Sequence, residues 1–387
     1  ALSYGYKAID LLSELGEEHE LARAYYTTSI YCNIAAKGLE LERKSKYARE
    51  ALSYSKKAVE LSQQIGDHFL LGMSSIWAGS AIVDFTDRPD SATKHFEDAL
   101  ECGTRTRDNY LIGRASYLLA HLMAWKMIAE EDPEKIKEES EKCEKHSEDA
   151  IRHFKSISND QEIASSYYWH AENYGILAGS AETNLKRKRI LLRKSIEAAK
   201  KGLEHAQRSG SIAAMWFILH PLSKSLFLLS TMETDADIKK QLLEKSLRYR
   251  EENIEALEQA MPYYFWNQGV YHNYLALIQA ELAKIESDKK QKTKLLEDAV
   301  ENAEGCINLC LRSGSLSQGQ YATLGRYYSD FGGILDQLYL ITGSTELFDK
   351  LLDIFKGAVK TYAKADLPSR AAESYWQQAK VHDKLRN

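Results

Sequence analysis

The stretch CEKHSEDAIRHFKSISNDQEIASSYYW, residues 143–169, decides the fold. Cys143 and Ala150 stand seven apart, which is two helical turns, so both small side chains face the same neighbour and allow a second helix to approach closely. Fourteen residues beyond Ala150 lies another small residue, Ala164, with Tyr167 three further on. The segment therefore reads as helix, turn, helix, packed antiparallel.

The same arrangement recurs along the chain. A small residue followed by a branched apolar one appears at Ala8-Ile9, Ala58-Val59, Ala99-Leu100, Ala150-Ile151, Gly202-Leu203, Cys306-Ile307 and Ala358-Val359, with Asn253-Ile254 filling the one gap. Most intervals lie between 50 and 53, one being 41. Seven positions earlier stand Ala1, Ala51, Ala92, Cys143, Ser195, Ser246 and Ala299, with Leu351 the exception. Fourteen positions later stand Ala22, Gly72, Gly113, Ala164 and Ala372, and Gly16, Gly66, Gly210 or Gly314 marks the turn between.

These residues resemble the tetratricopeptide repeat family. Ala22 with Tyr25 and Ala164 with Tyr167 match its first-helix pairing; Phe96 and Phe355 match the aromatic between the two small positions of its second helix. The period near 50 exceeds the family's 34, and the family's loop proline is absent, so both helices of each hairpin are expected to run about two turns longer, roughly 30 Å. The resemblance implies an all-α, right-handed superhelical solenoid of antiparallel hairpins. Residues 1–387 then form one array of about seven hairpins. Because Ala1 falls inside a second helix and Ser369 to Leu385 reads as a lone first helix, the chain is expected to be a fragment of a longer protein.

Composition agrees. Gly 21 and Pro 5 are few for 387 residues, so little of the chain can be turn. Pro89, Pro133, Pro262 and Pro368 fall where helices should begin, whereas Pro221 lies inside one and predicts a kink. Lys+Arg 51 against Asp+Glu 56 gives a net charge of −5, without bulk attraction for nucleic acid or an acidic membrane. No membrane span is expected either: the most apolar stretch, Ala213 to Ser230, is interrupted by His220, Pro221 and Lys224. Cys32, Cys102, Cys143, Cys306 and Cys310 are odd in number and scattered, which favours a reducing, cytoplasmic setting.

Motifs for chemistry are sparse. There is no phosphate-cradling glycine loop, no H-E-x-x-H and no G-x-S-x-G elbow. Cys143, His146, Asp149 and His153 could share a helix face, but Cys143 is already accounted for by the repeat, and no metal or cofactor is expected. Asp235-Ala236-Asp237 suits a helix cap. The basic block from Lys186 to Arg189, with Arg193 and Lys194, lacks interleaved aromatics and reads as a solvated face. The chain is not expected to be an enzyme.

In a stacked array the first helices line the concave side, and solvent-facing positions fall one, four, five and eight residues after the small one. That offset selects Arg23, Tyr26, Trp77, Arg114, Tyr117, His121, Tyr168, Trp169, Glu172, Gln268, Tyr271, Tyr327 and Trp376, with Glu373 and Gln377 beside the last. Tyr 23 against Phe 10 favours aromatics with a polar handle, as recognition surfaces do. The expected function is a non-catalytic scaffold for protein–protein interaction, binding a peptide or protein segment in the groove, without nucleic acid or membrane partners. The alternative is the ligand-sensing regulatory arm of a larger signalling ATPase or transcriptional regulator, with a flanking effector domain in the full-length protein.

Overall fold

The computed structural model describes residues 1–37, 41–86, 89–314 and 316–386. Among them are sixteen α-helices and no strand: α1 (Leu2–Leu15), α2 (Glu18–Lys37), α3 (Leu41–Ile65), α4 (His68–Phe85), α5 (Ala92–Thr106), α6 (Asn109–Ala129), α7 (Pro133–Ser156) and α8 (Asp160–Ser180), then α9 (Leu185–Ser209), α10 (Ile212–Thr231), α11 (Ala236–Ala260), α12 (Phe265–Ile285), α13 (Lys289–Arg312), α14 (Gln318–Thr342), α15 (Glu346–Lys364) and α16 (Pro368–Arg386). Contacts divide the chain into two compact units, Ala1–Ser225 and Leu226–Asn387.

Local chemistry sets the boundaries. Asp67, Asp108, Asp132, Asn159, Asn184, Asp235, Asp288 and Ser317 each accept a backbone N–H from the first turn of the helix that follows. Gly16, Gly66, Gly210, Gly314 and Gly343 take positive φ after helices, as expected for Gly-marked ends. Three turns do the same without glycine, at Arg107, Ser158 and Asp366. Pro133 and Pro368 open helices, Pro89 opens a short 3-10 turn before α5, and Pro262 sits in the turn before α12.

The repeat's small residues are the contact points between helices: Ala22, Ala51, Ala58, Ala92, Ala99, Cys143, Ala150, Ala164, Ser195, Ser246, Ala299, Cys306 and Ala358 are all fully buried. Aromatic rings of odd helices seat on glycines of the preceding even helix, Phe96 on Gly79 of α4 and Phe154 on Gly113 of α6. Odd and even helices differ in kind. In α7 the buried residues Ile136, Ser140, Cys143, Ser147, Ala150, Ile151 and Phe154 form one stripe; in α6 burial runs around the whole circumference, from Leu111 through Ala115–Ala120 to Met127. Even helices have partners on more sides, because α2 also touches α4, α4 touches α6, α6 touches α8, and in the second unit α12 touches α14.

α10 is, by length and composition alone, apolar enough to cross a membrane despite His220, Pro221 and Lys224. Its apolar side chains Trp216, Ile218, Leu219 and Leu222 are buried, and 56% of the window lies inside the protein, as in a core helix. All five cysteines are free and buried.

Candidate functional site

In the first unit, the 3.6-residue pitch lines up Tyr117, His121 and Trp125 on α6, Tyr168, Trp169 and Glu172 on α8, and Phe217, His220 and Lys224 on α10. The rings join up. His121 stacks on Trp169 at 4.2 Å, with Trp125 edge-on to His121 at 6.1 Å. Tyr168 meets Trp169 at 4.5 Å and Phe217 at 5.3 Å. Charges cross the same helices: Arg114 donates to Glu162 at 2.9 Å and lies 4.8 Å over the Tyr117 ring, and Lys224 donates to Glu172 at 2.8 Å, with His220 3.6 Å from the other carboxylate oxygen. Burial works against the Arg114 charge, but Glu162 and the flanking tyrosines outweigh it and raise the guanidinium pKa above its ordinary value. The Trp169 indole N–H and both amide atoms of Asn173 are buried without a hydrogen-bond partner among the described residues.

The structure corrects the expected exposure of six selected residues. Tyr117, Trp169, Glu172, Gln268, Tyr271 and Tyr327 are all buried. The physical reason is the direct contact between successive even helices, which the long repeat closes with these side chains. Gln268 donates to the Pro262 carbonyl, Tyr271 stacks under the Arg250 guanidinium, and burial pushes the Tyr327 phenol well above its ordinary pKa. Tyr26, Trp77, Arg114, His121 and Tyr168 are half-buried. Arg23, paired with Glu20, and Trp376, 63% exposed, face solvent. Arg114 with Tyr117, and His121 with Tyr168, Trp169 and Glu172, come together; Arg23, Tyr26 and Trp77 stand on earlier helices, and Gln268, Tyr271, Tyr327 and Trp376 belong to the second unit. Sequence reasoning missed Trp125 (51% exposed), Phe217, His220 and Lys224. The last two were visible as polar residues four apart in an apolar helix.

An open concavity of about 710 Å³ lies in the second unit. One wall is α14 (Arg326, Ser329, Gly333, Asp336), the other is α16 (Arg370, Glu373, Gln377, Lys380), and Phe355 and Tyr362 of α15 form the floor. Gly332 and Gly325 let α15 sit tightly on α14: a Cβ there would lie 2.7 Å from the Phe355 ring and 2.6 Å from the Tyr362 ring. Gly333 faces the opening, with nothing within 4 Å of a Cβ. Glu373 and Gln377, named by the offset rule, line this cleft; Trp376 does not. Arg370 pairs with Glu373 at 3.1 Å.

Other polar constellations serve packing. Cys143 Sγ donates to the Ala120 carbonyl and His153 pairs with Asn109 at 2.8 Å, and among the described residues no group of three His, Cys, Asp or Glu could hold a metal. Ser147 and His170 lie 2.9 Å apart, but Ser147 also donates to the Glu144 carbonyl, and burial lowers the His170 pKa.

No family model and no curated protein matches the sequence. Among solved structures, the chain is similar to a designed circular tandem repeat protein (15% identity, 98% of this chain and 91% of that one, TM-score 0.31). It is also similar to a Signal Transduction ATPase with Numerous Domains with a tetratricopeptide repeat sensor from Pyrococcus horikoshii (14%, 94% and 54%, 0.32). A third is the human IFIT1 dimer with PPP-AAAA (12%, 99% and 91%, 0.29). Among the described residues the chain is an all-helical repeat, and a protein with a tetratricopeptide repeat sensor is among the structures it resembles.

Proposed function

We propose that this chain is a non-catalytic protein-interaction scaffold that takes a peptide or protein segment into the cleft between α14 and α16. The observation that carries the reading is the cleft's make-up, charged walls of both signs over an aromatic floor. Its volume falls in the range of about 300–1,000 Å³ usual for ligand sites. Rings supply contact area, while Arg326, Glu373, Gln377 and Lys380 offer partners to backbone and side-chain polar groups.

The test uses Gly333→Trp, which places a large ring in open space and fills the cleft without striking a neighbour. Peptides selected against the wild-type chain from a random display library are expected to lose at least about tenfold in affinity, about 1.4 kcal/mol, for this variant, with the melting temperature held. Equal binding to both proteins would place the peptide site elsewhere.

A further inference from the structure

The basic block read from sequence as a solvated face is unusual in amount. Against a net charge of −5 for the chain, α9 alone carries nine Lys and Arg and two Glu, a net of +7, so everything else carries −12. Its first ten residues hold six cations and no acid. Lys186, Arg187, Arg193 and Lys194 are exposed, and among the described residues none of these four has a carboxylate at ion-pair distance. The Asn184 side chain takes the N–H groups of Lys186 and Arg187, so the attraction comes from side chains rather than from an open helix end.

The last ten residues of α11 carry the converse, four acids and no cation. Glu251, Glu255 and Glu258 follow one exposed face of the helix. None of the three has an ion-pair partner among the described residues. At 1.5 Å per residue, the strip from Lys186 to Lys194 and that from Glu251 to Glu258 are each roughly 10–12 Å long.

We propose that the cationic face of α9 docks on the acidic face of α11 of a second copy of this chain. A bilayer fits less well, because the exposed apolar residues of α9, Leu185 and Ile190, lie five positions apart and so form no single stripe. A single-stranded nucleic acid would want rings on this face, and α9 contains none. The contact is heterologous, since one surface meets a different one, and it propagates head to tail unless the geometry closes a ring. Exposed ion pairs are individually weak, so the association is salt-sensitive and reversible.

Sedimentation velocity of the full chain over a concentration series tests this. Association is expected in about 50 mM salt and at least about tenfold weaker in about 500 mM, where screening shortens to a few ångströms. Arg193→Glu with Lys194→Glu should abolish it, as should Glu251→Lys with Glu255→Lys, and an equimolar mixture of the two variants should associate again. Arg193→Ala with Lys194→Ala, a milder change, should weaken it in the same direction. A monomer at all concentrations, an association indifferent to these substitutions, or a mixture that fails to associate overturns the proposal. So does α9-dependent binding to phosphatidylserine vesicles by a chain that stays monomeric.

Discussion

Gly332 and Gly333 are adjacent in one helix, yet their environments call for opposite responses to the same substitution. A methyl at Gly332 would sit 2.7 Å from the Phe355 ring, whereas one at Gly333 meets nothing. Helix propensity alone favours alanine over glycine by about 1 kcal/mol. Gly333→Ala is therefore expected to stabilise the second unit by about 0.5–1 kcal/mol, and Gly332→Ala to destabilise it by about 1–3 kcal/mol through overpacking. Urea denaturation of both variants checks the pair; equal shifts would contradict the ring-on-glycine contact.

Among elements, polar bridges tie several even helices to the next even one. Asn33 of α2 donates to Asp84 of α4 at 3.0 Å, Arg114 of α6 to Glu162 of α8, Lys224 of α10 to Glu172 of α8, and Asn273 of α12 to Asp330 of α14 at 3.2 Å. Glu172 is only 5% exposed, so Lys224→Met leaves a buried carboxylate short of its closest cation, at an expected cost of about 3–5 kcal/mol. Adding Glu172→Gln should recover most of that loss, measurable as a coupling energy in a double-mutant cycle. These bridges explain what the sequence disclosed and what it withheld. The seven-residue spacing of small residues, as at Ala92 and Ala99, depends on one helix's own periodicity, so hairpins and their contact faces were legible. Which residue meets Glu172 depends on a helix about fifty positions away, and no local pattern encodes it. The offset rule failed at Trp169 and Tyr271 for the same reason: it describes one helix, whereas burial came from a second even helix lying against it. The cleft was half legible, through Glu373 and Gln377; Gly333 carried no sequence signal of its own.

Across the whole chain, titratable groups are unevenly placed. Burial lowers the imidazole pKa of His95, His146, His153 and His170, all in the first unit. The unfolded chain binds protons at these sites below the ordinary imidazole value of 6.5 while the folded unit still resists, so stability is lost as pH falls through that window. In the second unit burial raises the Asp330 pKa, so its folded form takes up a proton before the unfolded one and acidification does not work against it there. Hydrogen exchange at pH 7 and at about pH 5 is expected to show protection falling first in residues 1–225; a uniform fall across both units would contradict this assignment. Among the described residues, helices pack on near neighbours in sequence, hairpin partners on each other and several even helices on the next even one. Under mechanical load such local pairings give way in turn: force would peel one hairpin at a time, each refolding on the template of the next, as an extensible spring does rather than a brittle body.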